Sequence, residues 1–479
     1  MKVFDTLSGK KEDFPPPGRE IRMYVCGVTP YSHSHIGHAM SYIIFDTVQR
    51  YLEFRGYKVR YIQNITDIDD KIIDRSGREG ISTEELADTY IRSFFEDMEA
   101  LNIKGACKYP KATEEIPQIL EVISGLIDRG YAYPAGGSVY FKVRQVSDYG
   151  KLSHRKLEQM VSTECGLGSE DKEDPMDFVL WKASKPGEPA WPSPWGEGRP
   201  GWHIECSAMS LKYLGESIDI HGGGQDLIFP HHENEIAQSE SFTGQKPFVR
   251  YWMHNGLLQM GEEKMSKSIG NLVTIKEALE KHSPDAIRIF VLGSHYRSPL
   301  TYSEETLEAA EKGAQRLGQT VSHTAASTKS GEKIDVESYR QKFVQAMDDD
   351  FNTAQAIALL FDLTREINRN DGRGFEAEEA RSLLKELGEV IGLTFKVTAE
   401  PLDSGLIARV GTSIYEELKL GETATGKQAE EIITDLISVR DKMRQARKWQ
   451  QADLVRDRLA GIGITLKDTS EGTVWRYKR

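Results

Sequence analysis

Two short polar motifs carry the residues best suited to phosphate chemistry in this chain of 479 residues. The first, His35-Ile36-Gly37-His38, follows an apolar stretch and opens a segment with apolar residues at helical spacing, so it lies where a strand leads into a helix. Unpaired N–H groups at a helix N-terminus favour bound phosphate. The second, Lys264-Met265-Ser266-Lys267-Ser268, places two cations around a small hydroxyl residue, which suits a loop that grips departing pyrophosphate. A polar loop of this kind is weak support for phosphate chemistry alone, and the ordered pair is stronger support than either motif.

Taken together, the two motifs resemble the nucleotide-binding signatures of class I aminoacyl-tRNA synthetases, and this resemblance implies an ATP-using adenylylating enzyme. That resemblance implies six ATP-binding residues: His35, Gly37, His38, Lys264, Ser266 and Lys267. The two histidines and the two lysines among them would be catalytic, because they stabilise charge on the phosphates and assist the departure of pyrophosphate. ATP would bind with Mg²⁺ as a substrate.

A second set of residues has the chemistry of a metal site. Cys26 ends the first apolar strand, and Cys206 belongs to a segment with helical spacing. His231 and Glu235 are four residues apart, so on a helix that begins at Pro230 they project from one face. Thiolates, an imidazole and a carboxylate are all ligands of Zn²⁺. A plainer interpretation stays open, with two buried cysteines and a solvated His/Glu face, since the spacing matches no compact zinc finger.

Longer motifs resemble those of the cysteinyl-tRNA synthetase family over nearly the whole chain. They are Trp202-His203-Ile204-Glu205-Cys206-Ser207-Ala208-Met209, His221-Gly222-Gly223-Gly224, Pro230-His231-His232-Glu233-Asn234-Glu235, Asn64-Ile65-Thr66-Asp67-Ile68-Asp69-Asp70-Lys71, Met347-Asp348-Asp349-Asp350-Phe351-Asn352-Thr353 and the tail from Ala452 to Trp475. Carried over by motif position, the resemblance implies one Zn²⁺ ion in each chain, held by Cys26, Cys206, His231 and Glu235.

The resemblance implies a reaction in two steps. L-cysteine would react with ATP to give cysteinyl-adenylate, and the cysteinyl group would then pass to the 3′-terminal ribose of tRNA-Cys. A pocket that rejects by shape alone separates cysteine poorly from serine, whereas zinc binds a thiolate far better than a hydroxyl. Because four protein ligands would close a structural site, the ion must accept a fifth ligand or Glu235 must loosen.

The same resemblance gives candidates for the amino-acid and tRNA sites. Thr66 and Trp202 are expected to bind the amino acid, although Thr66 could instead cap the next helix and Trp202 could be a core residue. The candidates for anticodon contact are Arg444, Trp449, Asp453 and Asp468. Residues 440–479 carry 11 Lys and Arg against 5 Asp and Glu, together with aromatic rings, which suits RNA or simply a basic helical face.

Composition describes an ordinary globular chain, with 39% hydrophobic and 28% charged residues. The net charge of −13 gives no overall attraction to nucleic acid. No apolar run approaches the roughly 18 residues that span a bilayer, and the N-terminus lacks a secretory signal. Four cysteines in so long a chain do not form a disulfide framework. A cytoplasmic protein without membrane contact is therefore expected. Composition does not reveal the oligomeric state, for which a monomer is the expectation.

The elements that must position these residues alternate between strand and helix. That order predicts an α/β fold with a Rossmann-type, doubly wound parallel sheet. The expected division is a first catalytic half at 1–115, an inserted connective domain at 116–200, a second catalytic half with the Lys-Met-Ser-Lys-Ser loop at 201–300, an all-α bundle at 301–400 and a small basic C-terminal domain for anticodon recognition at 401–479.

One stretch departs from the synthetase pattern. The family reads Gly-Pro-Thr-Val-Tyr-Asp after the first zinc cysteine, whereas this chain has Gly27-Val28-Thr29-Pro30-Tyr31-Ser32. That order is closer to a mycothiol-pathway ligase, which joins cysteine to the amine of a glucosaminyl-inositol and lacks a full anticodon-binding tail. A third hypothesis is a catalytically inactive relative that regulates RNA, but such proteins typically lose the signature residues.

Overall fold

The computed structural model describes residues 1–157, 171–260, 263–264, 272–323, 333–396, 404–421, 424, 427–469 and 472–477. For Met260, Glu263, Lys264 and several residues of the last two strands, it describes the backbone alone. The chain divides into two compact units, Met1–Val397 and Thr398–Arg479.

Strands and helices alternate in the first unit. Its described strands are β1 (Lys2–Asp5), β2 (Lys10–Asp13), β3 (Glu20–Val28), β4 (Lys58–Ile65), β5 (Ala132–Ala135), β6 (Ser138–Phe141), β7 (Phe178–Ala183), β8 (Gly198–Pro200), β9 (Ile218–Gly224), β10 (Val249–Asn255), β11 (Leu258–Met260), β12 (Glu263–Lys264) and β13 (Leu300–Tyr302). Its described helices are α1 (Ile36–Phe54), α2 (Asp70–Glu79), α3 (Thr83–Ala100), α4 (Ile116–Asp128), α5 (Trp202–Leu214), α6 (Glu233–Thr243), α7 (Ile275–Lys281), α8 (Pro284–Leu292), α9 (Glu304–Ser322), α10 (Val336–Asp348), α11 (Thr353–Asp371) and α12 (Glu378–Val390).

A four-stranded parallel sheet in the order β10-β9-β3-β4 forms the centre of this unit. Residues on β3 alternate between its two faces. Met23 and Val25 pack in the cluster that contains α1, whereas Tyr24 packs with Cys206 and Met209 of α5. Helices therefore cover both faces of the sheet, and the predicted doubly wound α/β fold is confirmed.

The central sheet is interrupted in sequence between β4 and β9. In that interval β5, β6, β7 and β8 form a separate antiparallel sheet, which packs against α4 and α5 around Val139, Phe141 and Trp181. The insertion expected from the sequence is therefore present.

Helices α9 to α12 follow the last strand of the first unit, as the sequence predicts. The hydroxyl of Ser303 caps α9 by accepting the N–H of Thr306 at 3.2 Å. The bundle is joined to the catalytic part through Arg288, which is fully buried and paired with the buried carboxylate of Asp46 on α1. Arg288 also donates to the carbonyl of Ile391 at 3.0 Å, just after α12.

The second unit has its own hydrophobic core. It contains α13 (Ser404–Glu417), α14 (Ala429–Gln445), α15 (Trp449–Ala460), β14 (Ile464–Thr469) and β15 (Gly472–Tyr477). The two strands form an antiparallel hairpin, and the core joins Ile414 of α13 to Leu436 of α14 and Leu459 of α15. A small mixed unit therefore follows the bundle, in agreement with the predicted order.

One helix begins later than predicted. The sequence predicts Pro230 as the first helical residue, but the regular α-helix starts at Glu233. Phe229 is extended (φ −137°, ψ 132°), because the residue before a proline is disfavoured in the helical region. His231 and His232 therefore lie in a wider turn that precedes α6. Across the described ranges, no helix is both long and apolar enough to cross a membrane.

Candidate active site and metal centre

Cys26 and Cys206 meet although 180 residues separate them in sequence. Cys26 lies near the carboxyl end of β3, and Cys206 lies on α5 against the same face of the sheet. Their Sγ atoms are 3.9 Å apart. The carboxyl end of a parallel strand is where ligands bind in open α/β sheets, so the two thiols stand at the expected edge.

His231, His232 and Glu235 complete a buried cluster around the Cys26 thiol. Glu235 Oε1 lies 3.6 Å from Cys26 Sγ and 3.0 Å from His231 Nε2. His232 Nε2 lies closer still to Cys26 Sγ, at 3.2 Å. One ligand atom from each of Cys26, His231, His232 and Glu235 lies within 4.8 Å of all the others, and Cys206 adjoins them through Cys26.

Three further histidines hold the donors in place. His203 Nδ1 lies 2.9 Å from His231 Nδ1, and His254 Nε2 lies 2.7 Å from His232 Nδ1. His221 Nε2 lies 2.8 Å from the second oxygen of Glu235. Metal-binding side chains are commonly oriented by such outer contacts.

The sequence analysis did not predict His232 as a donor, nor the supporting role of the three outer histidines. The signal was present only in the density of histidines within the motifs from Trp202 to Glu235. Pairwise spacing at i and i+4 selects His231 alone, because it assumes a regular helix where the structure has a wider turn.

The ionisation of three of these groups, Cys206, Glu235 and His232, suits a cation. A hydrogen bond from the Cys26 thiol lowers the pKa of Cys206 to about 6, against the effect of burial. Burial alone would raise the pKa of Glu235, but His221 and His231 hold it at about 2. Burial lowers the pKa of His232 well below the ordinary value, so its imidazole is neutral. Anionic sulfur and oxygen and a neutral imidazole are the forms in which these residues bind metal. Burial raises the pKa of the Cys26 thiol, and the charge of Glu235, acting against burial, raises the pKa of His231 to about 10, so a metal would have to displace a proton from each.

The donor set fits zinc better than a hard cation. Sulfur and imidazole nitrogen predominate, whereas Mg²⁺ and Ca²⁺ prefer oxygen ligands. Glu235 is fully buried beside a thiol of lowered pKa, and two such anionic donors are stabilised by a cation between them. All four ligands expected from the sequence belong to this cluster or adjoin it, and His232 is a fifth candidate.

The first signature motif forms backbone hydrogen bonds with residues that follow the second motif. The N–H of Ile36 donates to the carbonyl of Val273 at 3.0 Å, and the N–H of Ile275 donates to the carbonyl of Ser34 at 3.0 Å. Residues far apart in sequence are therefore joined directly at the N-terminus of α1.

His35 and His38 lie side by side at the start of α1. Their rings stack with centroids 3.8 Å apart. A Cβ atom at Gly37 would lie 2.9 Å from the His35 ring, so a larger residue at this position would displace the histidine. The motif therefore combines a helix N-terminus with two adjacent imidazoles, an arrangement suited to phosphate groups.

The residues predicted in the second motif are only partly described. The backbone of Lys264 pairs in β12 with Gln259 of β11. Ser266 and Lys267 lie outside the described residues. Their predicted contacts with ATP stay predictions.

Thr66 and Trp202 occupy different surroundings. Thr66 is buried, and its hydroxyl donates to Glu205 Oε2 at 2.9 Å. Asn64 donates to the Thr66 hydroxyl at 3.2 Å and accepts the N–H of Gly27 at 2.8 Å, which links Thr66 to the strand of Cys26. Trp202 is 43% exposed, so it is not a core residue.

Trp202 stacks on a histidine of the cluster. Its ring centroid lies 4.5 Å from that of His231, at an interplanar angle of 30°. The half-exposed indole therefore lies beside the metal-type donors.

The predicted tRNA contacts lie in the second unit. Asp468 accepts hydrogen bonds from Arg440 at 2.8 Å and from Arg444 at 2.5 Å, and its pKa is lowered by these guanidinium groups. Asp453 pairs with Arg456 at 2.9 Å, and Trp449 is 57% exposed. Arg444 and Asp468 are thus joined in one network, whereas Trp449 presents a free ring face to solvent.

Comparison with known proteins defines the class. The family described as "tRNA synthetases class I (C) catalytic domain" matches residues 15–312, and the DALR domain matches residues 342–396. Methionyl-tRNA synthetase of Mycobacterium tuberculosis, solved with methionyl-adenylate, has the same fold with a TM-score of 0.58 at 18% identity, over 85% of this chain and 97% of that one. The fold and the family match make the protein a class I aminoacyl-tRNA synthetase.

Full-length relatives narrow the identification. Cysteine--tRNA ligase of Dehalococcoides mccartyi is 56% identical over 479 residues, covering all of both chains. Cysteine--tRNA ligases of Thermococcus kodakarensis and Caldicellulosiruptor saccharolyticus are 49% and 46% identical, over 99% of each chain. The chain belongs to the cysteine--tRNA ligase family. These relatives give no support to the sugar-amine ligase that the sequence left as an alternative.

Proposed function

We propose that this enzyme activates L-cysteine with ATP and passes the cysteinyl group to the 3′-terminal ribose of tRNA-Cys, selecting its substrate through zinc. The observation that carries the proposal is the cluster of two thiols, two imidazoles and a carboxylate near the carboxyl end of β3. Such a soft donor set suits a metal ion that also binds sulfur, and the thiol is the one chemical feature that separates cysteine from serine.

In this proposal Cys26, Cys206, His231 and Glu235 hold one zinc ion, with His232 able to replace one of them. When bound, zinc supplies a soft cation that interacts with the substrate sulfur and poorly with a serine hydroxyl. Every donor of the cluster except the partly buried Cys26 is buried, and the outer histidines orient these donors. Selection of this kind needs no separate editing site. Serine lacks the thiol, so it would forfeit the bond between its side chain and the metal and would bind weakly.

Thr66 and Trp202 are proposed to position the amino acid. The Thr66 hydroxyl is held by Asn64 and Glu205, so it has a fixed direction at the end of β4. Trp202 lies over His231 and is half-exposed, so it can form one wall of an open pocket. Trp202 adjoins the metal-type cluster, and Thr66 is linked through Asn64 to the N–H of Gly27 beside Cys26, which supports one continuous amino-acid site.

His35, Gly37 and His38 are proposed to bind the ATP phosphates at the N-terminus of α1. As the cysteine carboxylate oxygen attacks the α-phosphorus, the bond to pyrophosphate breaks and negative charge grows on the departing group. The two histidines and the helix N-terminus stabilise that charge, and Lys264, Ser266 and Lys267 assist departure. The contacts between residues 34–36 and 273–275 support placing both motifs around one nucleotide.

We also propose a division of labour along the chain. Residues 1–115 and 201–300 carry the catalytic halves, 116–200 the insertion, 301–400 the helical bundle and 401–479 the anticodon-recognition unit with Arg444, Trp449, Asp453 and Asp468. The excess of 11 Lys and Arg over 5 Asp and Glu in residues 440–479 of that unit supports an RNA contact. The proposal includes a monomer acting in the cytoplasm, and sedimentation of the purified enzyme tests its oligomeric state.

Three measurements on the purified enzyme test the proposal. Cysteine, but not serine, should support exchange of pyrophosphate into ATP without any RNA. Metal analysis should find about one zinc for each chain. Charging should require tRNA-Cys. A metal-free enzyme that remained faithful to cysteine would contradict the zinc-based selection, and exchange without charging would contradict the transfer step.

A further inference from the structure

The stretch that departs from the synthetase pattern, residues 27–34, joins the metal-type cluster to the first signature motif. It begins just after Cys26, near the end of β3, and ends just before His35, where α1 begins. The carbonyl of Ser34 accepts the N–H of Ile275 at 3.0 Å, so the stretch also contacts the chain that follows the second motif. A change in its conformation would therefore move the proposed cysteine and phosphate sites relative to each other.

A tight turn at Pro30 shapes the middle of this stretch. The N–H of Tyr31 donates to the carbonyl of Thr29 at 3.0 Å, which closes a three-residue turn with Pro30 at its centre. The pyrrolidine ring holds φ in the range that such a turn needs. The shifted proline therefore gives this chain a defined turn at residues 29–31.

Arg75 of α2 holds the residue that ends this turn. Its Nη1 donates to the carbonyl of Tyr31 at 2.8 Å. Two further contacts fix the guanidinium group: Nη2 donates to the hydroxyl of Tyr90 on α3 at 2.7 Å, and Nε donates to Glu79 Oε1 at 2.6 Å. A planar guanidinium group held by several hydrogen bonds has little freedom, so it can keep the Tyr31 carbonyl in one place.

The same two helices also contact the side chains of this stretch. Lys71 Nζ of α2 lies 5.4 Å from the centroid of the Tyr31 ring. The ring of Tyr90 packs edge-on against that of His33, with centroids 5.2 Å apart, and His33 Nδ1 lies 2.9 Å from Ser93 Oγ on α3. Helices α2 and α3 therefore contact the stretch through side chains as well as through its backbone.

We propose that Arg75 is a positioning residue for the formation of the adenylate. By holding the Tyr31 carbonyl, it fixes the turn at Pro30. The fixed turn keeps His35 and His38 in the arrangement that receives the ATP phosphates. The inference rests on the proposed function, because it assumes that ATP binds at the N-terminus of α1.

This role predicts a specific effect on the KM for ATP. Without Arg75 the stretch would adopt other conformations as well, and ATP would bind only the competent one. The apparent affinity falls with the fraction of molecules that are competent, whereas an enzyme saturated with ATP is nearly unaffected. The KM for ATP should therefore rise while kcat changes little. A loss of folded enzyme would have the opposite pattern, with a lower kcat and an unchanged KM.

The test compares full-length Arg75→Ala with Arg78→Ala in ATP–pyrophosphate exchange. Arg78 is an exposed arginine near the end of α2, so its removal changes the charge of the helix equally. We expect Arg75→Ala to raise the KM for ATP by about tenfold, the effect of one charge-assisted hydrogen bond, and to change kcat by less than about twofold. Arg75→Lys keeps a cationic donor and should recover part of the loss. Arg78→Ala should match the unaltered enzyme, and zinc content should be the same in all variants.

A double-mutant cycle tests whether Arg75 acts through the turn. Pro30→Ala alone should also raise the KM for ATP, since a flexible turn no longer directs the Tyr31 carbonyl. If both residues support one turn, the double variant should raise that KM by little more than the larger single effect. Single effects that multiply in the double variant would overturn the role of the turn.

Other outcomes would overturn the inference as a whole. An unchanged KM for ATP in Arg75→Ala would do so, as would an equal rise in Arg78→Ala, which would indicate general charge. A lower kcat with an unchanged KM would indicate a role in folding alone. If Arg75→Ala fails to fold, Tyr90→Phe removes only the hydroxyl that accepts Arg75 Nη2 and should raise the KM for ATP by a smaller factor. Failure of the proposed function is separate, because the unaltered enzyme would then show no cysteine-dependent exchange.

Discussion

The Thr66 hydroxyl donates a 2.9 Å hydrogen bond to Glu205 Oε2 inside the protein. Asn64 extends this contact to the N–H of Gly27, beside Cys26. A residue proposed to position the amino acid is thereby linked to the strand that carries a metal-type thiol. A substitution that displaces Thr66 or Glu205 should therefore also affect the strand beside Cys26.

Replacing Glu205 tests the network. Burial raises the pKa of Glu205 well above its ordinary value, and the charge of Cys206 raises it further, which favours the neutral carboxyl. Glu205→Gln keeps the size, the neutrality and an acceptor oxygen, and should leave the KM for cysteine near that of the unaltered enzyme. Glu205→Ala removes the acceptor and should raise that KM by about tenfold, consistent with one lost hydrogen bond of about 1–1.5 kcal/mol.

The KM for ATP in the same exchange assay is the internal control for both Glu205 variants. Because no ATP-binding residue takes part in the network, it should stay unchanged. An equal rise in both KM values would mean that Glu205 supports the fold in general.

Cys206→Ser should lower both zinc content and selectivity for cysteine. A hydroxyl is a much weaker zinc ligand than a thiolate, and Cys206 adjoins the donor cluster through Cys26. Metal analysis and the ratio of kcat/KM for cysteine over serine measure the two effects. Cys107→Ser is the matched control, since Cys107 is exposed. Normal zinc content in Cys206→Ser would refute the ligand assignment.

Removing Thr398–Arg479 should separate the two steps of the reaction. This unit has its own core, so its deletion removes a complete packed body. Deletion from Gln428 onward would instead cut that core between Ile414 and Leu436. We expect ATP–pyrophosphate exchange to persist while charging of tRNA falls by at least about tenfold. A fall of this size corresponds to the loss of a few contacts with bases or phosphates. Equal loss of both activities would indicate a structural role.

The stability of the enzyme should depend on Asp97 and on pH. Burial raises the pKa of Asp97 to about 6, with Lys276 opposing the shift. Because the folded state holds this proton more tightly than the unfolded chain, the associated stability is present below pH 4 and is lost as pH rises through 6. Asp97→Asn should therefore raise Tm about twice as much at pH 8 as at pH 5. The same gain at both values would show that ionisation is not the cause.

Removing the Arg288 side chain should destabilise the first unit strongly. Asp46 and Arg288 are both fully buried, and Arg288→Ala would leave the carboxylate without this partner. Such a loss costs about 3–5 kcal/mol, measurable as the free energy of unfolding in urea. Arg50 contacts the same carboxylate at 2.8 Å but is partly exposed, so Arg50→Ala should cost about 1 kcal/mol or less. Equal losses would contradict a special role for the buried pair.

Much of the fold could be predicted from local pattern. Apolar periodicity distinguishes the parallel strands from the helices, and the alternation of Met23, Tyr24 and Val25 between two clusters is the physical basis of that signal. The start of α6 was predicted wrongly, because the extended backbone at Phe229 interrupts a segment whose composition suits a helix. Residue spacing alone does not predict the wider turn that precedes α6.

The sequence by itself determined the residue types of the site, since thiols, imidazoles and a carboxylate within recognisable motifs already indicate soft-metal chemistry. Only the tertiary structure decided that Cys26 lies 3.2 Å from His232 and that His254 holds that ring. Strand register and helix rotation set such distances, because a shift of one residue turns a side chain to the opposite face of the sheet. These quantities depend on packing across hundreds of residues, which no short-range pattern records.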